Sequence, residues 1–451
     1  MAQGSHLVRT IRVRNDNRAG VLARVLAVIS EEGGNCGDIR LIAVGPTHMI
    51  RDIDIELGSA GQLDRILERL RGMESSTVLE VRDEVLSAHI GGKLKIISKV
   101  EVHTAYDLGR IYTPGVGEVV RRVHQEPAAA LRYTTIGNTV AVISDGSAIL
   151  GLGNLGPVAA MPVLEGKAAL LAQLVHVNAV PIVLNVHEVP AMVETIANIS
   201  LGFGAIQLED IGSPHCFELE PALQERVSVA VFHDDQHGTA AVVLAALING
   251  CKILQHNLKK LRVGQIGLGA GGLGIARTMM HYTGNPVHGC DIVAAAVQRL
   301  VEAGGEAASL EEVMATADVV IAATGKPGLI SPSQLRRGQL IFALSNPWPE
   351  IEPEQALAAG AALAASGKAI NNLLCYPGMC RGLLDSYATR ATPELFRAAS
   401  QTLVEATPSG QLLPDALDRG AHARVAQAVA SKAEECGLAR RHPDAELVFE
   451  E

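Results

Sequence analysis

The chain has 451 residues, of which 48% are hydrophobic, 19% are charged and only 3% are aromatic. A chain of this length and composition is expected to bury aliphatic cores in about three domains rather than one. Its formal net charge of −10 argues against nucleic acid or an anionic membrane as the main partner. An anionic substrate stays open, because a bound metal ion can reverse the local field.

The cysteines are scattered along the chain, with no CxxC pair and no zinc-like spacing. The seven lie at positions 36, 216, 251, 290, 375, 380 and 436. An odd, unpatterned set of this kind indicates reduced thiols rather than a disulfide framework. The first residues show no basic-then-apolar signal, and no run of 18 apolar residues is free of polar interruption. We therefore expect a cytoplasmic protein.

Residues 1–86 are predicted to form a separate domain with the order strand, helix, strand, strand, helix, strand. That order is typical of a ferredoxin-like antiparallel sheet with both helices on one side. Residues 7–84 resemble an ACT domain, a regulatory module that often senses amino acids. The loop NDNRAGVL carries the resemblance: Gly20 matches the family's turn, whereas Asn17 stands where the family usually has Asp. The resemblance implies a small-molecule effector, and the alternative is a packing or dimerisation domain.

The chain from residue 87 onward is predicted as two successive α/β domains, 87–250 and 251–375, and a helical segment over 376–451. In both domains continuous apolar strands alternate with helices, which indicates parallel sheets covered on both faces. Residues 138–156 are predicted as a strand pair with a Gly-rich turn. The last segment is expected to pack on the two α/β domains.

A glycine cluster, GLGAGGLG at 267–274, follows a predicted strand and precedes a predicted helix. Glycines at this place let the backbone approach a pyrophosphate, whose charge the helix N-terminus favours. The pattern GxGxxG can start at Gly267 or at Gly269. The candidate cofactor-binding residues are Gly267, Gly269, Gly271, Gly272, Gly274 and Asp291. Asp291 ends the next strand, where an acid binds the ribose 2′-hydroxyl and repels a 2′-phosphate, so we expect a Rossmann-type domain that binds NAD rather than NADP.

Two pairs of acids follow predicted parallel strands of the first α/β domain. Glu209 and Asp210 come after AIQL, and Asp234 and Asp235 come after SVAVF. The carboxyl ends of parallel strands line the ligand crevice of an open sheet, and neighbouring strands lie about 4.8 Å apart. Carboxylates from two such ends can therefore converge on one cation, and their oxygens suit Mg²⁺ or Mn²⁺.

Other interpretations of the same segment stay open. His233 and His237 would suggest zinc, but an i, i+4 pair needs a helix at 233, where the pattern predicts a strand. Asp234 could simply cap a helix that begins near Gln236. We expect the strand to continue instead, so that alternation points Asp234 and Asp235 in different directions.

Lys167 lies in the apolar helical segment PVLEGKAALL. A lysine whose head is desolvated near a cation has a lowered pKa and can act as a base near neutrality. The alternative is an ordinary surface lysine. Tyr112, in RIYTPGVG, precedes a Pro-Gly turn, and by itself it is interpreted as a core tyrosine with one hydrogen bond.

Seven blocks of the sequence occur in the order seen in malic enzymes of the shorter bacterial type. They are YTPGVG, ILGLGNLGPVAAMPVLEGKAALL, QLEDI, VFHDDQHGTA, the glycine loop, ALSNPWPEI and INNLLCYPG. The resemblance covers residues 90–440. It implies an α/β fold in which a second α/β catalytic domain and a Rossmann-type NAD domain follow the ferredoxin-like, ACT-like domain. It also implies oxidative decarboxylation of (S)-malate to pyruvate and CO₂ with NAD and Mg²⁺ or Mn²⁺.

The family's motifs imply a role for each candidate residue. Tyr112 and Lys167 match the general acid/base pair, and Glu209, Asp210 and Asp235 match the metal ligands. Asn346 and Asn372 match the asparagines that contact the malate carboxylates, and Asn346 is also a candidate for cofactor binding. Asp234 is implied to support the site near Lys167. In the larger eukaryotic enzymes an arginine binds a substrate carboxylate, and the position of that arginine corresponds to Ala148 in this chain.

Alternatives to this function stay open. Malolactic chemistry would keep NADH bound and release lactate. In a different class, the chain would be an amino-acid sensor with vestigial catalysis. A third hypothesis, another α/β dehydrogenase that acts on amino acids, would explain the glycine loop but would give neither acid pair a role. The resemblance further implies a homodimer or homotetramer in which Tyr112 is contributed across the interface to the active site of another subunit. No nucleic-acid or membrane partner is expected.

Overall fold

The computed structural model describes residues 7–149 and 151–440. Within these residues the chain forms two compact units, one ending at Lys95 and the other beginning at Ile96. The predicted domain boundaries at residues 250 and 375 fall inside the second unit and stay predictions.

The N-terminal unit is a four-stranded antiparallel sheet of order β2-β3-β1-β4 with two main helices. Its elements are β1 (Leu7–Asp16), α1 (Val21–Glu31), β2 (Asn35–Val44), β3 (His48–Leu57), α2 (Ala60–Arg71), β4 (Ser76–Asp83) and α3 (Glu84–His89). Helix α1 buries Val21, Val25 and Ile29, which recur every four residues and so line one face. This face packs with Ile11 and Ile53 of the sheet. The ferredoxin-like prediction is confirmed.

A cluster of ion pairs surrounds the buried Asp52 on the same sheet. Strand alternation turns Arg12 away from the apolar core that Ile11 enters. Asp52 stands opposite Arg12 in the ladder, and its side chain is only 4% exposed. Arg12 Nε donates to Asp52 Oδ1 at 2.7 Å, and Arg82 donates to Oδ2 at 2.6 Å. The hydrogen bond from Arg12 lowers the pKa of Asp52 to about 2, although burial opposes it.

The second unit begins with helices and continues as a four-stranded parallel sheet of order β6-β5-β7-β8. The elements are α4 (Ala105–Ile111), α5 (Val116–Gln125), α6 (Ala130–Tyr133), β5 (Thr139–Ser144), α7 (Pro157–Val175), β6 (Asn178–Val183), α8 (Val189–Ile199), β7 (Ala205–Leu208), α9 (His215–Arg226), β8 (Ala230–His233) and α10 (Asp234–Ile253). Strands β5, β7 and β8 are buried throughout, which suits their mainly apolar sequences.

The predicted strand pair over 138–156 is wrong in its second half. β5 supplies the first strand, but the stretch after it is a loop in which Ile149 and Gly153 form one isolated bridge. Gly146 and Gly151 have positive φ, a backbone conformation that turns the chain and does not continue a strand. Leu150 lies outside the described residues.

The rest of the second unit holds a six-stranded parallel sheet of order β11-β10-β9-β12-β13-β14 and ends in helices. The elements are β9 (Val263–Ile266), α11 (Ala270–Thr283), β10 (His288–Cys290), α12 (Ala294–Glu302), β11 (Glu306–Ala307), α13 (Leu310–Thr316), β12 (Val319–Ala322), β13 (Leu340–Ala343), α14 (Pro353–Ala358), β14 (Leu363–Ser366), α15 (Tyr376–Asp385), α16 (Pro393–Ala406) and α17 (Arg419–Glu435). Short 3₁₀ turns lie at Pro127–Ala129, Thr135–Asn138, Ser200–Gly202, Leu258–Lys260, Pro332–Gln334 and Asn372–Leu374. This is the predicted Rossmann-type arrangement, and the α/β fold class is confirmed. Helix α10 packs against α11 and α16, so one apolar core joins the two sheets.

Helix α7 is long and apolar enough to cross a membrane by length and composition alone. Its Leu164, Lys167 and Leu171 are nevertheless buried within the second unit. The core helix of a folded domain passes the same test, so the composition of α7 carries no further conclusion.

Residues 96–125 contrast with the rest of the second unit, because α4 and α5 bury none of their side chains. Large apolar side chains are exposed along this segment. They are Ile96, Ile97, Val100, Val102, Tyr106, Leu108, Ile111, Tyr112, Val116 and Val120. Exposed apolar side chains concentrated in one segment favour a contact with another molecule over an ordinary solvated face.

Candidate active site

The two acid pairs lie side by side because their strands are neighbours. β7 pairs in parallel with β8, and Leu208 stands opposite His233 at the last step of the ladder. The next residues of both strands therefore meet at one edge of the sheet. The predicted orientation of the second pair needs a correction, because α10 begins at Asp234 itself. About 100° of helical rotation, and not strand alternation, points Asp234 and Asp235 apart.

Glu209, Asp210 and Asp235 form a compact group of carboxylates. One ligand oxygen from each lies within 4.8 Å of the other two. Asp210 has φ of 52°, a conformation uncommon for residues other than glycine. Its backbone N–H donates to Asp235 Oδ2 at 2.9 Å. Backbone and side-chain contacts thus hold the group together at the start of α10.

This carboxylate group fits a hard divalent cation. Burial raises the pKa of Glu209 well above its usual value, with repulsion from Asp235 adding to the effect and Lys167 opposing it. A cation among the three acids would relieve that repulsion. Oxygen donors without cysteine or histidine are the set that Mg²⁺ and Mn²⁺ prefer.

Lys167 lies inside α7, and its ammonium is buried between two acids. Its Nζ is 2.9 Å from Glu209 Oε1, pairs with Asp234 Oδ2, and stands 4.4 Å from the centre of the Tyr376 ring. Burial alone would lower the pKa of Lys167, but Asp234 and Glu209 outweigh it and raise that pKa well above its usual value. The expected lowering of this pKa refers to a lysine near a cation, and it stays a prediction; the two adjacent counter-ions act in the opposite direction.

The two candidate asparagines border the same region. The space beside Gly238, in the second turn of α10, is filled by the Asp234 carboxylate, and the Asn372 side chain lies next to it. The carbonyl oxygen of Asn346 packs closely against Gly151 in the loop that leads into α7. Asn372 thus lies beside the partner of Lys167, and Asn346 lies beside the loop that precedes the lysine's helix.

The glycine loop connects β9 to α11 and lies directly against the start of α10. Gly269 is the residue before the helix. A Cβ on Gly272 would overlap the carbonyl of Gly267, and one on Gly274 would lie 2.6 Å from the carbonyl oxygen of Gln236. The third glycine of this pattern serves close packing of the helix. Gly272 and Gly274, the third glycines of the two possible registers, are both tightly packed, so both registers of GxGxxG fit the loop.

Asp291 follows β10 directly and is held against the same loop. Its Oδ2 accepts a hydrogen bond from the Leu268 N–H at 2.6 Å, and its Oδ1 accepts one from the Val293 N–H at 2.8 Å. The carboxylate is therefore fixed at the strand end beside the glycines. An acid in this place is typical of a site for a ribose without a 2′-phosphate.

The two histidines near the start of α10 each lie beside an acid. His233 is fully buried, with Nε2 at 3.3 Å from Asp235 Oδ2. His237 Nε2 lies 2.9 Å from Glu220, and its ring stacks on Phe396. Within the described ranges 7–149 and 151–440, the potential metal-ligand group contains acids alone, so the zinc interpretation gains no support.

Tyr112 stands apart from the acids within this chain. It follows the last residue of α4 and is 65% exposed. It belongs to the segment 96–125, whose apolar side chains are exposed. The aromatic ring against Lys167 is that of Tyr376, which is buried. The structure therefore brings the lysine and the acids together but leaves Tyr112 outside them.

Sequence reasoning does not single out Tyr376, Gln207 or Cys380, although all three contact the site. The Tyr376 ring faces Lys167, Gln207 Nε2 donates to Glu209 Oε2 at 3.1 Å, and the Cys380 thiol donates to Gln207 Oε1 at 3.5 Å. The sequence does hold a signal for Gln207. It is a polar residue in an apolar strand, two positions before Glu209, and strand periodicity puts both on one side.

Three family models match separate parts of the chain. Residues 92–190 match the model described as malic enzyme, N-terminal domain. Residues 4–82 match an ACT domain model, and residues 262–340 match the NAD binding domain of 6-phosphogluconate dehydrogenase. The matched segments correspond to the N-terminal unit, the segment that carries Lys167, and the glycine loop with its sheet.

Several whole proteins are similar to this one over most of the chain. NAD-dependent malic enzyme 1 of Bacillus subtilis is 47% identical over 94% of this chain and 97% of its own length. NAD-dependent malic enzyme of Geobacillus stearothermophilus is 35% identical over 97% of each chain. The crystal structure of malic enzyme from Pyrococcus horikoshii superposes with a TM-score of 0.76 at 36% identity, over 80% of this chain and 92% of that one.

Proposed function

The chain belongs to the malic enzyme family, and from that membership we propose that it converts (S)-malate to pyruvate and CO₂ with reduction of NAD. The observation that carries the proposal is one juxtaposition. A carboxylate group suited to a divalent cation lies beside the buried Lys167, and the glycine loop packs on the helix that contributes Asp235. Oxidising a 2-hydroxy acid and then removing its C4 carboxyl requires a base, a Lewis acid and a hydride acceptor, and each has a counterpart here.

The residues of the site divide between metal, cofactor and substrate. Glu209, Asp210 and Asp235 are proposed to hold Mg²⁺ or Mn²⁺, and the glycine loop with Asp291 is proposed to hold NAD. When bound, the cation supplies a Lewis acid that polarises the C2 oxygen and stabilises the enolate formed on decarboxylation. NAD supplies the acceptor for the C2 hydrogen and its two electrons. The amides of Asn346 and Asn372 are suited to donate to the malate carboxylates.

Lys167 is proposed as the base for the 2-hydroxyl group. Its Nζ accepts that proton while the C2 hydrogen leaves as hydride, which gives the 2-oxo acid. The bond to the C4 carboxyl then breaks, CO₂ leaves, and the electron pair remains in the enolate of pyruvate. Tyr112 assists protonation of C3, which completes pyruvate. Asp234 contacts Lys167 and stabilises its ammonium form after the proton has been taken up.

Lys167 must be neutral before it can accept a proton. Asp234 and Glu209 raise its pKa, so their charge has to be offset before the base is competent. The cation would offset the charge of Glu209 and its neighbours. The metal requirement and the base function are therefore linked through one carboxylate.

We infer further that the functional form is a cytoplasmic homodimer or homotetramer. The exposed apolar side chains of 96–125 support a contact with a second copy, and Tyr112 lies in that segment, from which it would reach the site of the other subunit. All seven cysteines are free thiols, as suits a reducing compartment. The N-terminal unit, with its match to the ACT domain model, is proposed to bind a small-molecule effector.

Initial rates against malate, with NAD and then NADP and with and without Mn²⁺, test the proposed reaction. We expect malate-dependent formation of free NADH that needs metal, and a much lower rate with NADP because Asp291 repels a 2′-phosphate. Lactate without release of NADH would indicate malolactic chemistry instead. An absence of any malate-dependent absorbance change, together with thermal shifts caused by amino acids, would indicate a sensor.

A further inference from the structure

Gln207 is a fully buried amide at the centre of the first parallel sheet of the second unit. Its neighbours along the ladder are Val142 of β5 and Phe232 of β8, both apolar. An amide in such surroundings costs free energy unless its donors and acceptor are satisfied. The polar groups of Gln207 are therefore expected to make specific hydrogen bonds, because an apolar side chain would fill the same space at lower cost.

The partner of this amide is a proposed metal ligand. Gln207 Nε2 donates to Glu209 Oε2 at 3.1 Å, while Glu209 Oε1 pairs with Lys167 at 2.9 Å. The two oxygens of one buried carboxylate are thus held from two directions. Without Gln207, the charged contact to Lys167 would dominate the orientation of Glu209, because charge-assisted hydrogen bonds are the stronger kind.

Cys380, one turn after Tyr376 in α15, fixes which end of the amide faces Glu209. Its thiol donates to Gln207 Oε1 at 3.5 Å. Burial raises the pKa of Cys380 well above its usual value, so the sulfur keeps its proton and stays a donor. If the amide turned over, its oxygen would face the Glu209 carboxylate and its N–H₂ would lose an acceptor.

We propose that Gln207, with Cys380 behind it, is a positioning residue that holds Glu209 in the orientation in which it binds the divalent cation. This inference rests on the metal site of the proposed function and deepens it. Hydrogen bonds to the ligands of a metal typically change its affinity by about 10–100-fold. Gln207 makes such a bond to Glu209 directly, and Cys380 supports it through the Gln207 amide.

The test measures the Kd of Mn²⁺ by electron paramagnetic resonance of the free ion, with no malate or NAD present. Gln207→Met keeps the volume and removes the donor, and we expect its Kd to rise about tenfold. Cys380→Ala should weaken binding in the same direction, whereas Cys380→Ser, which keeps a donor, should restore a Kd close to that of the wild type. Cys375→Ala is the matched control, because Cys375 is equally buried in the same region. Among the described residues, the thiol that contacts Gln207 is that of Cys380.

Two further comparisons separate positioning from general damage. If Cys380 acts through the amide, Cys380→Ala should have no added effect in a Gln207→Met background. Melting temperatures in EDTA show whether a variant is simply less stable. Should Gln207→Met not fold, the Cys380 series carries the test alone.

The outcomes also separate this inference from the proposed function. Wild-type Mn²⁺ binding that Gln207→Met and Cys380→Ala leave unchanged would overturn the positioning role and leave the function intact. An equal loss in Cys375→Ala would overturn it too. Weakened binding in the two variants with no malate oxidation by the wild type would support the positioning role and remove the function. A wild-type protein that binds no Mn²⁺ would overturn both.

Discussion

Lys167 is one ammonium among four acids, and this imbalance governs the site. It contacts Glu209 and Asp234 directly, while Asp210 and Asp235 belong to the adjoining carboxylate group. Burial raises the pKa of Asp234, as it raises that of Glu209, because the protein interior solvates charge poorly. One lysine leaves three of the four carboxylate charges unbalanced, and a divalent cation would neutralise two of these three.

Replacing Lys167 by Met removes the ammonium and keeps a side chain of similar length. We expect kcat for malate oxidation to fall by about 10²-fold or more, because a positioned acid–base group contributes at least that much. Steady-state rates with NAD and Mn²⁺ measure the effect. Lys252→Ala changes an exposed lysine in the last turn of α10 and should keep the wild-type rate. Near-normal turnover of Lys167→Met would remove this lysine from the mechanism.

Asp52 gives the N-terminal unit a pH dependence of known direction. Its folded pKa of about 2 lies below the ordinary 3.8, so its stabilisation is complete above about pH 4 and is lost as the pH falls towards 2. The difference corresponds to about 2 kcal/mol. We expect Asp52→Asn to speed hydrogen exchange in β1 and β3 by about 30-fold at pH 7, and far less at about pH 2.5.

The control for that measurement is Asp64→Asn, which changes an exposed acid on α2. It should leave exchange in β1 and β3 unchanged at both pH values. A ratio between the Asp52 variant and the wild type that stays constant from pH 7 to pH 2.5 would show that the ion pairs with Arg12 and Arg82 contribute no pH-dependent stability.

At the scale of elements, the first turn of α10 connects three parts of the site. Asp234 reaches Lys167, Asp235 joins the carboxylate group, and the backbone of Gln236 packs against Gly274 of α11. Base, metal ligands and glycine loop are therefore fixed relative to one another by one short piece of backbone. A shift of this turn would disturb all three together.

Gly274→Ala tests that dependence. The added Cβ would lie 2.6 Å from the Gln236 carbonyl oxygen, and since that atom is backbone, the two helices must separate. We expect a loss of about 2 kcal/mol in the free energy of unfolding, as overpacking commonly costs. Urea unfolding at equilibrium measures it. Gly61→Ala in α2, where the Cβ would meet only the tip of Arg65 at 4.0 Å, should cost nothing.

The sequence predicts much of this arrangement and fails at particular points. The convergence of Glu209 with Asp235 follows from two apolar strands that each end in acids, because parallel strands present their ends to one edge. The start of α10 is missed, since β8 is only four residues long and the apolar run continues into the helix. The loop after β5 is mistaken for a strand because apolar residues alternate with glycines whose positive φ the pattern does not reveal.

Contacts between distant segments are harder to predict than element types. Tyr376 and Cys380 reach the site because α15 packs on α7 and β7, about 200 residues earlier in the chain. No periodicity within a short window carries that information. Gln207 is different, because a buried polar residue in step with Glu209 is visible in the strand itself.

At the scale of the whole molecule, the exposed segment 96–125 and the isolated Tyr112 are two aspects of one feature. α4 and α5 bury none of their side chains, and the tyrosine that the family resemblance assigns to the chemistry follows the last residue of α4. A second copy covering this segment would bury its apolar surface and bring Tyr112 to an active site. A single chain would then hold an incomplete set of catalytic groups.

Mixing two inactive variants tests this arrangement. Tyr112→Phe lacks the tyrosine, Lys167→Met lacks the lysine, and each should be nearly inactive alone. If the site is shared, equal amounts of the two, unfolded and refolded together, should recover up to about a quarter of wild-type activity, because half the dimers are hybrids with one intact site. Each variant refolded by itself is the control. No recovery would show that both residues act within one chain.

The crowding of Glu209, Asp210 and Asp235 also makes the stability of the fold depend on its ion. These carboxylates are brought within 4.8 Å of one another only when the chain is folded, so a cation that binds them binds the native state alone. At a concentration 100 times its Kd such a ligand adds about 2.7 kcal/mol to the free energy of unfolding. We expect the melting temperature to rise with Mn²⁺, and to rise much less in Asp235→Asn; a melting temperature indifferent to Mn²⁺ would contradict this linkage. The free cation concentration in the cell would then determine the folded fraction of the protein as well as its turnover rate.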